Sequence, residues 1–238
     1  LLYCKLGSLA ASQGTWLSST SVRCVTPASG STGNATVQIS NNNLDFVSGP
    51  NYRYLAAPTV AALSVATGPV RGGTVVSVSG TNFDVSGPSG YVKCLFGTRE
   101  VTASASSNTT WIICTSPAGS AGAVAVKLSF SNGVDYTPTS TTFTYYADQT
   151  VSSISPVNGG VGGGTNVTVT GSGFAGATQC KFGSTAVATA TVVNGQTVMC
   201  LSPVGSAGSV SVEVSQNGLD YTQDGVRFEY QATATVTA

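Results

Sequence analysis

Six cysteines set the chemistry this chain can do. Cys4 and Cys24, Cys94 and Cys114, and Cys180 and Cys200 each stand 20 residues apart. Histidine is absent and no two cysteines are spaced Cys-Xaa2-Cys, so the usual zinc and redox patterns are missing. The expected chemistry is one structural disulfide per pair. Closing a loop of that length contributes about 3 kcal/mol in the chain-entropy picture. Bonds of this kind persist in oxidising, extracellular or luminal compartments.

The other candidates are weaker. Without histidine a Ser-His-Asp triad cannot form, and the nine acidic residues are scattered, with no spacing that pairs carboxylates for hydrolysis. No catalytic residue is expected. "GSGFAG" at 171–176 has the glycine spacing of a dinucleotide loop, but such a loop must open a helix. "ATQCKFG" follows and reads as a strand, so a loop is expected and no cofactor site. "GGVGGGT" lacks the phosphate-loop Lys and reads as a turn. Asp45, Asp135 and Asp220 recur at one turn. Calcium needs several converging oxygens; a single Asp holding a turn through its own backbone bonds is the preferred reading, and no metal is expected. Asn34-Ala-Thr36, Asn108-Thr-Thr110 and Asn166-Val-Thr168 satisfy the N-glycosylation triplet. Asn34 and Asn108 are expected in loops, Asn166 at the start of a strand. "TPTSTT" at 137–142 offers room for O-linked sugar. Trp16 and Trp111 are out of register with each other and are expected in the core near the disulfides. Tyr136 and Tyr221 follow the Asp turn and are candidate surface contacts.

These residues are carried by a repeat. "LLYCKLGS", "YVKCLFGT" and "ATQCKFGS" surround Cys4, Cys94 and Cys180, which are 90 and then 86 residues apart. Each second cysteine is followed by Pro at +3, then a Gly, an alternating strand, the Asp turn and a closing aromatic strand that ends near Tyr54, Tyr145 or Tyr230. A period of this size suits one small domain per repeat. The first repeat lacks the Gly-rich portion that opens the others. The expected division is an incomplete domain at 1–56, complete domains at 57–146 and 147–231, and the first strand of a further repeat at 232–238. A three-repeat length cut out of phase suggests a segment of a longer array or a processed product. Its unpaired edge would accept a strand from a neighbour.

"TVVSVSG", "NVTVTG", "AVAVKLSF" and "SVSVEVS" alternate apolar and polar residues, with Gly, Pro and Asn-Gly between them. Tight turns are expected at the "FG" steps after Cys94 and Cys180. No window shows a capped helical face. The expected fold is all-β, a tandem of β-sandwiches with one disulfide per domain.

The ordered motifs P-x-x-G-G-T, G-x-x-F, C-x-F-G, C-x-[ST]-P and the final Tyr resemble the IPT/TIG domain, an immunoglobulin-like sandwich. The second repeat departs slightly, with "SVATGPVRGGT" shifting its first Pro. The family serves in plexin-type receptors, Rel-type transcription factors, starch-acting enzymes and surface arrays, so the resemblance implies fold and leaves function open.

Charge narrows the choice. Only 8% of residues are charged and the formal net charge is zero, which gives nucleic acid no basic surface. No apolar run approaches the length of a membrane span. With so few charges, sugar is a candidate for covering the surface. The joints "YLAAPTV" and "YADQTV" are short and not Gly/Ser-rich, unlike flexible linkers. The expected function is an extracellular structural protein: a segment of a rod-like or filament-forming array, glycosylated and self-associating head to tail or by strand complementation. Its expected partners are copies of itself and covalent glycans. The alternative is the ligand- or glycan-binding ectodomain of a receptor or adhesin, which predicts an exposed aromatic or charged patch on one repeat that the others lack.

Overall fold

Alternation of side chains decides these strands. In Asn166–Ser172, Val167 and Val169 are fully buried while Asn166 and Thr170 face solvent. In Val75–Thr81, Val76 and Val78 turn inward and Val75 is 58% exposed. One face of each strand thus enters a core and the other stays wet, as period-two patterning requires. The structure, a computed structural model, describes residues 1–104, 109–138, 141–184 and 186–232, with Ala186 as backbone only. Among these, all regular structure is strand except one 3-10 turn, Phe174–Gly176. The expected strand within 232–238 lies almost wholly outside the described residues. The chain divides into two compact units, Leu1–Ala57 and Pro58–Ala238.

In the second unit, the second repeat is a two-sheet sandwich. Arg99–Thr102, Lys93–Phe96, Gly122–Ser129, Thr141–Tyr146 and Thr67–Pro69 form one sheet in that order. Trp111–Thr115, Val75–Thr81 and Thr59–Leu63 form the other. Every pairing is antiparallel except Thr67–Pro69 beside Thr141–Tyr146, which is parallel. The third repeat builds the same ladder, with Asn158–Gly160 parallel to Arg227–Gln231. There a longer strand, Ala186–Asn194, pairs with both Gln179–Phe182 and Thr197–Leu201 and joins the sheets. In the first unit, Ser12–Gln13, Tyr3–Leu6, Gly33–Ser40 and Val47–Tyr54 form a four-stranded sheet beside the hairpin Thr15–Ser18/Ser21–Arg23.

A disulfide crosses each repeat: Cys4–Cys24, Cys94–Cys114 and Cys180–Cys200, with Cα–Cα distances of 5.9, 6.2 and 6.2 Å. In the second repeat it ties one sheet to the other. Beside it lie aromatic chains packed edge to face. Phe96, Phe143 and Tyr145 have centroids 5.4 and 5.0 Å apart, and Phe182, Phe228 and Tyr230 repeat this at 5.5 and 5.0 Å.

The closing tyrosines explain the Pro that follows each second cysteine. Tyr54, Tyr145 and Tyr230 donate their hydroxyls to the carbonyls of Pro27, Pro117 and Pro203 at 2.9, 2.7 and 2.8 Å. Gly119 and Gly205 let the ring approach, since a Cβ there would meet the Tyr145 or Tyr230 ring within 3.0 Å. The last strand of each repeat is thereby fastened to the loop after the disulfide.

Several local expectations change. Trp16 is 67% exposed and Trp111 38% exposed, so neither is a core residue. In Trp111–Thr115 the inward positions are Ile112 and Cys114; alternation from the buried cysteine turns Trp111 outward. "GSGFAG" makes the short turn Phe174–Gly176 and returns to the strand Gln179–Phe182, as a sandwich loop would. "GGVGGGT" bends through Gly163 and Gly164, both at positive φ. Gly97 and Gly183 make the turns at the "FG" steps, with φ of 63° and 73°.

Candidate interdomain joint

The turn Asn217-Gly218-Leu219-Asp220 is the most organised polar feature of the second unit. The Asn217 side-chain carbonyl accepts the N–H groups of Leu219 and Asp220 at 3.0 and 2.9 Å. Ser215 Oγ accepts the N–H of Gly218 at 3.0 Å, and Gly218 supplies the positive φ of 74° that the bend needs. Asn217 then donates its amide to the Asp220 carboxylate at 2.6 Å. The Asp therefore does not hold the turn through its own backbone bonds. Asn holds it, which leaves the carboxylate free to reach outward.

It reaches the preceding repeat. Thr74 Oγ1 donates to the Asp220 carboxylate at 2.7 Å, and the Asn217 amide also donates to the Thr67 carbonyl at 2.9 Å. Thr74 is 1% exposed. Gly68 lies beneath it: a Cβ on Gly68 would fall 2.2 Å from Thr74 Oγ1, so only Gly leaves the hydroxyl in place. At the rim, Arg71 forms an ion pair with Asp148 at 3.3 Å and donates to the Tyr221 carbonyl at 3.4 Å.

Magnitudes rank these contacts. The Arg71–Asp148 pair is 44% and 40% exposed, and such pairs contribute about 0–1 kcal/mol. A hydrogen bond to a charged group with its donor buried contributes about 1.5–3 kcal/mol. Asp220 on Thr74 therefore carries the joint, and Arg71 trims it. Tyr146 is enclosed beside them; its hydroxyl is buried with no hydrogen-bond partner among the described residues. Burial pushes its pKa up to about 12; the carboxylates of Asp220 and Asp148 add to this and Arg71 opposes it.

The connecting chain is short and anchored. Only residues 147–149 separate the strands Thr141–Tyr146 and Thr150–Ser155. Gln149 is 5% exposed and donates to the Gly173 carbonyl at 3.2 Å. The Val151 N–H is held by the Asp224 carboxylate at 2.6 Å.

The three Asp turns are not alike. In the first repeat Asn42 repeats the role of Asn217: it accepts from Leu44 and Asp45 at 3.0 and 2.9 Å and donates to the Asp45 carboxylate at 2.8 Å. The second repeat carries one extra residue, and Ser131 Oγ, not an Asn carbonyl, takes the Asp135 N–H at 2.8 Å. Asn-Xaa-Xaa-Asp occurs in all three turns and does not separate them; Ser-Xaa-Asn-Xaa-Xaa-Asp, in "SNNNLD" and "SQNGLD" but not in the second repeat, was the available signal. The tyrosines after the turns fold back on their own repeats. Tyr136 donates to Glu100, and that bond raises its pKa to about 12. Tyr221 donates to Gln179 at 2.5 Å, under Lys181 at 4.3 Å from its ring.

Among the described residues no three His, Cys, Asp or Glu side chains converge as metal ligands, and no helix is long and apolar enough to cross a membrane. Asn34 is exposed but sits in the strand Gly33–Ser40, not in a loop. Asn166 opens the strand Asn166–Ser172, exposed. Asn108 lies outside the described residues. Disulfides in all three repeats mark the chain as an extracellular or cell-surface protein.

Comparison with known proteins agrees with this architecture. Fibrocystin-L of Homo sapiens is 32% identical over 111 residues, covering 45% of this chain and 2% of that protein. The plexin A4 full extracellular region superposes with a TM-score of 0.51 at 17% identity, covering 99% of this chain and 22% of that one. The chain thus spans a small fraction of either protein's length, and the plexin likeness is one of fold. Residues 58–145 and 150–230 each match the IPT/TIG domain, well over half of the chain, and the protein belongs to the IPT/TIG domain family.

Proposed function

We propose that this chain is a stretch of an extracellular IPT/TIG array that works without catalysis, as a semi-rigid structural spacer. Its domains are 1–56, 57–146 and 147–231, with 232–238 leading into a further repeat. The observation that carries this reading is the joint in which Asp220 and Asn217 of the third repeat lock onto Thr74 and Thr67 of the second. A three-residue connection with a buried Gln149 leaves little freedom to swing, and a repeated joint of this kind would give a rod. Residual dipolar couplings test it. Residues 59–146 and 150–231 are expected to share one alignment tensor, and Asp220→Ala with Arg71→Ala should split it into two. Two different tensors in the unaltered protein would end the spacer reading.

Self-association, head to tail or by strand complementation, and covalent glycans belong to the same proposal. Asn34 and Asn166 are exposed, and Asn108 is the third acceptor. Native protein is expected to lose mass on enzymatic deglycosylation; an unchanged mass removes the glycans from the reading.

A second reading, a ligand- or glycan-binding ectodomain, draws on Trp16. It is 67% exposed, an aromatic face on which a sugar ring could stack. Titrating oligosaccharides against tryptophan fluorescence decides it. Quenching lost in Trp16→Ala supports binding, and a flat response to every glycan excludes it.

A further inference from the structure

An Asn-Gly pair is prone to attack its own side chain, because Gly sets no Cβ in the path of its backbone nitrogen. The chain contains four such pairs: Asn132-Gly133, Asn158-Gly159, Asn194-Gly195 and Asn217-Gly218. The fold treats them differently. The Gly218 N–H is held by Ser215 Oγ at 3.0 Å, and the Asn217 amide is committed to Asp220 and to the Thr67 carbonyl. The Gly133 N–H is held by Ser129 Oγ at 2.9 Å. Asn158 and Gly159 lie in the parallel ladder beside Arg227–Gln231. At Asn194-Gly195 both residues are exposed, and among the described residues no hydrogen bond holds the Gly195 N–H.

The Asn194 side chain is also set for reaction. Its carbonyl accepts the Gln196 N–H at 2.8 Å. That bond keeps the carboxamide folded over the turn, against the Gly195 nitrogen, and stabilises the charge that develops on the oxygen under attack. The hairpin tip stands at the joined end of the third repeat. The Gly195 carbonyl accepts the Phe174 N–H at 3.0 Å, and the adjoining Gly173 carbonyl accepts from Gln149 of the connection. The preceding repeat is therefore in place and still leaves the tip exposed.

We propose that Asn194-Gly195 is a self-modification site, at which the chain converts a hairpin tip to isoaspartate as it ages. The Gly195 nitrogen gives its proton to water and bonds to Asn194 Cγ. The bond from Cγ to the side-chain nitrogen breaks, and ammonia leaves a cyclic imide behind. Water opens the ring at one carbonyl or the other, giving Asp or isoaspartate. Isoaspartate routes the main chain through the former side chain and lengthens it by one methylene. The Gly195 and Gln196 carbonyls, which accept from Phe174 and Gly171 at 3.0 and 2.9 Å, are thereby carried off their donors. The second repeat makes the same two bonds, from Phe83 and Gly80 to the Thr109 and Thr110 carbonyls at 3.1 and 2.8 Å. There the residue after the Asn is Thr109, whose branched Cβ obstructs the attack. The site thus belongs to the third repeat, beside the joint.

Incubation of the folded 238-residue chain at neutral pH, followed by peptide mapping and enzymatic methyl labelling of isoaspartate, tests the proposal. Asn194 should react about five-fold faster than Asn132, where one hydrogen bond must break first, and at least about ten-fold faster than Asn217, where three must. In the reduced and denatured chain the three rates should converge. Gly195→Ala, whose Cβ meets nothing within 4 Å, should suppress the product. Ser215→Ala should release the Gly218 N–H and raise the rate at Asn217. Amide exchange at Gly171 and Phe174 should quicken in aged protein and not in aged Gly195→Ala. Asn132 or Asn217 reacting as fast as Asn194 in the folded chain, or Asn194 staying intact there while it reacts in the denatured one, would overturn the site. Isoaspartate at Asn194 with unchanged exchange at Gly171 and Phe174 would keep the site and overturn the loosening.

Discussion

Replacing Cys94 and Cys114 together by Ala is expected to remove about 3 kcal/mol from the second repeat, the closure entropy of a 20-residue loop. Both sulfurs are fully buried, so lost packing adds to the deficit. A domain of this size has on the order of 5–10 kcal/mol in all, so the unfolded fraction rises by about two orders of magnitude. The bond joins the two sheets of the sandwich. Without it the sheets are held by Val76, Val78, Ile112, Val126, Leu128 and Phe143, all fully or almost fully buried. The repeat should therefore still fold, with its melting temperature lower by roughly 10–20 °C. Thermal unfolding followed by far-ultraviolet circular dichroism reads the shift. A melting point left where it was would show that the crosslink contributes nothing beyond the core around it.

Gly171→Ala should be as damaging through a single methyl group. Its Cβ would lie 1.8 Å from the Thr150 carbonyl oxygen and 2.7 Å from the Phe174 ring. The first obstacle is backbone, which cannot rotate away. The strand pairing is already irregular there, with a register shift between Val151 and Ser153, and glycine within a strand marks such close approaches. The second repeat repeats this at Gly80, whose Cβ would lie 1.8 Å from the Thr59 carbonyl oxygen beside a register shift between Val60 and Ala62. Destabilisation of about 4 kcal/mol or more is expected, at the far end of what one substitution does. The lesion also reaches the joint, because pushing Thr150–Ser155 off its neighbour releases Gln149 from Gly173. Amide exchange across Thr150–Ser155 should accelerate together with the loss of stability. Gly195→Ala is the control, since nothing lies within 4 Å of its Cβ. If Gly171→Ala were as stable as Gly195→Ala, the close approach would have no energetic meaning.

Strand character and the cysteine pairing were legible from residues alone because both follow short-range rules. Val167, Val169, Val212 and Val214 alternate with polar residues, and period two admits one burial pattern. Equal 20-residue spacing in three repeats leaves each cysteine a natural partner in its own repeat. The recurring Pro and the closing Tyr were visible as spacing, but not the bond that joins them. Tyr145 meets the Pro117 carbonyl only after two sheets have packed, across 28 residues of chain. The tryptophans misled for a related reason. An indole is large and apolar, but the strand's phase relative to Cys114 sets its direction, and that phase points Trp111 outward.

The turn aspartates show most clearly where local reading stops. Asp45, Asp135 and Asp220 are one residue type at one place in the repeat, and the sequence by itself determined that each stands in a tight polar turn. Only the tertiary structure decided that Asn42 and Asn217 hold two of those turns while Ser131 holds the third, and that Asp220 meets a threonine 146 residues away. The physical reason is that a carboxylate's partner is set by which surface is brought within about 3 Å of it, and distance in space between repeats is not written in spacing along the chain.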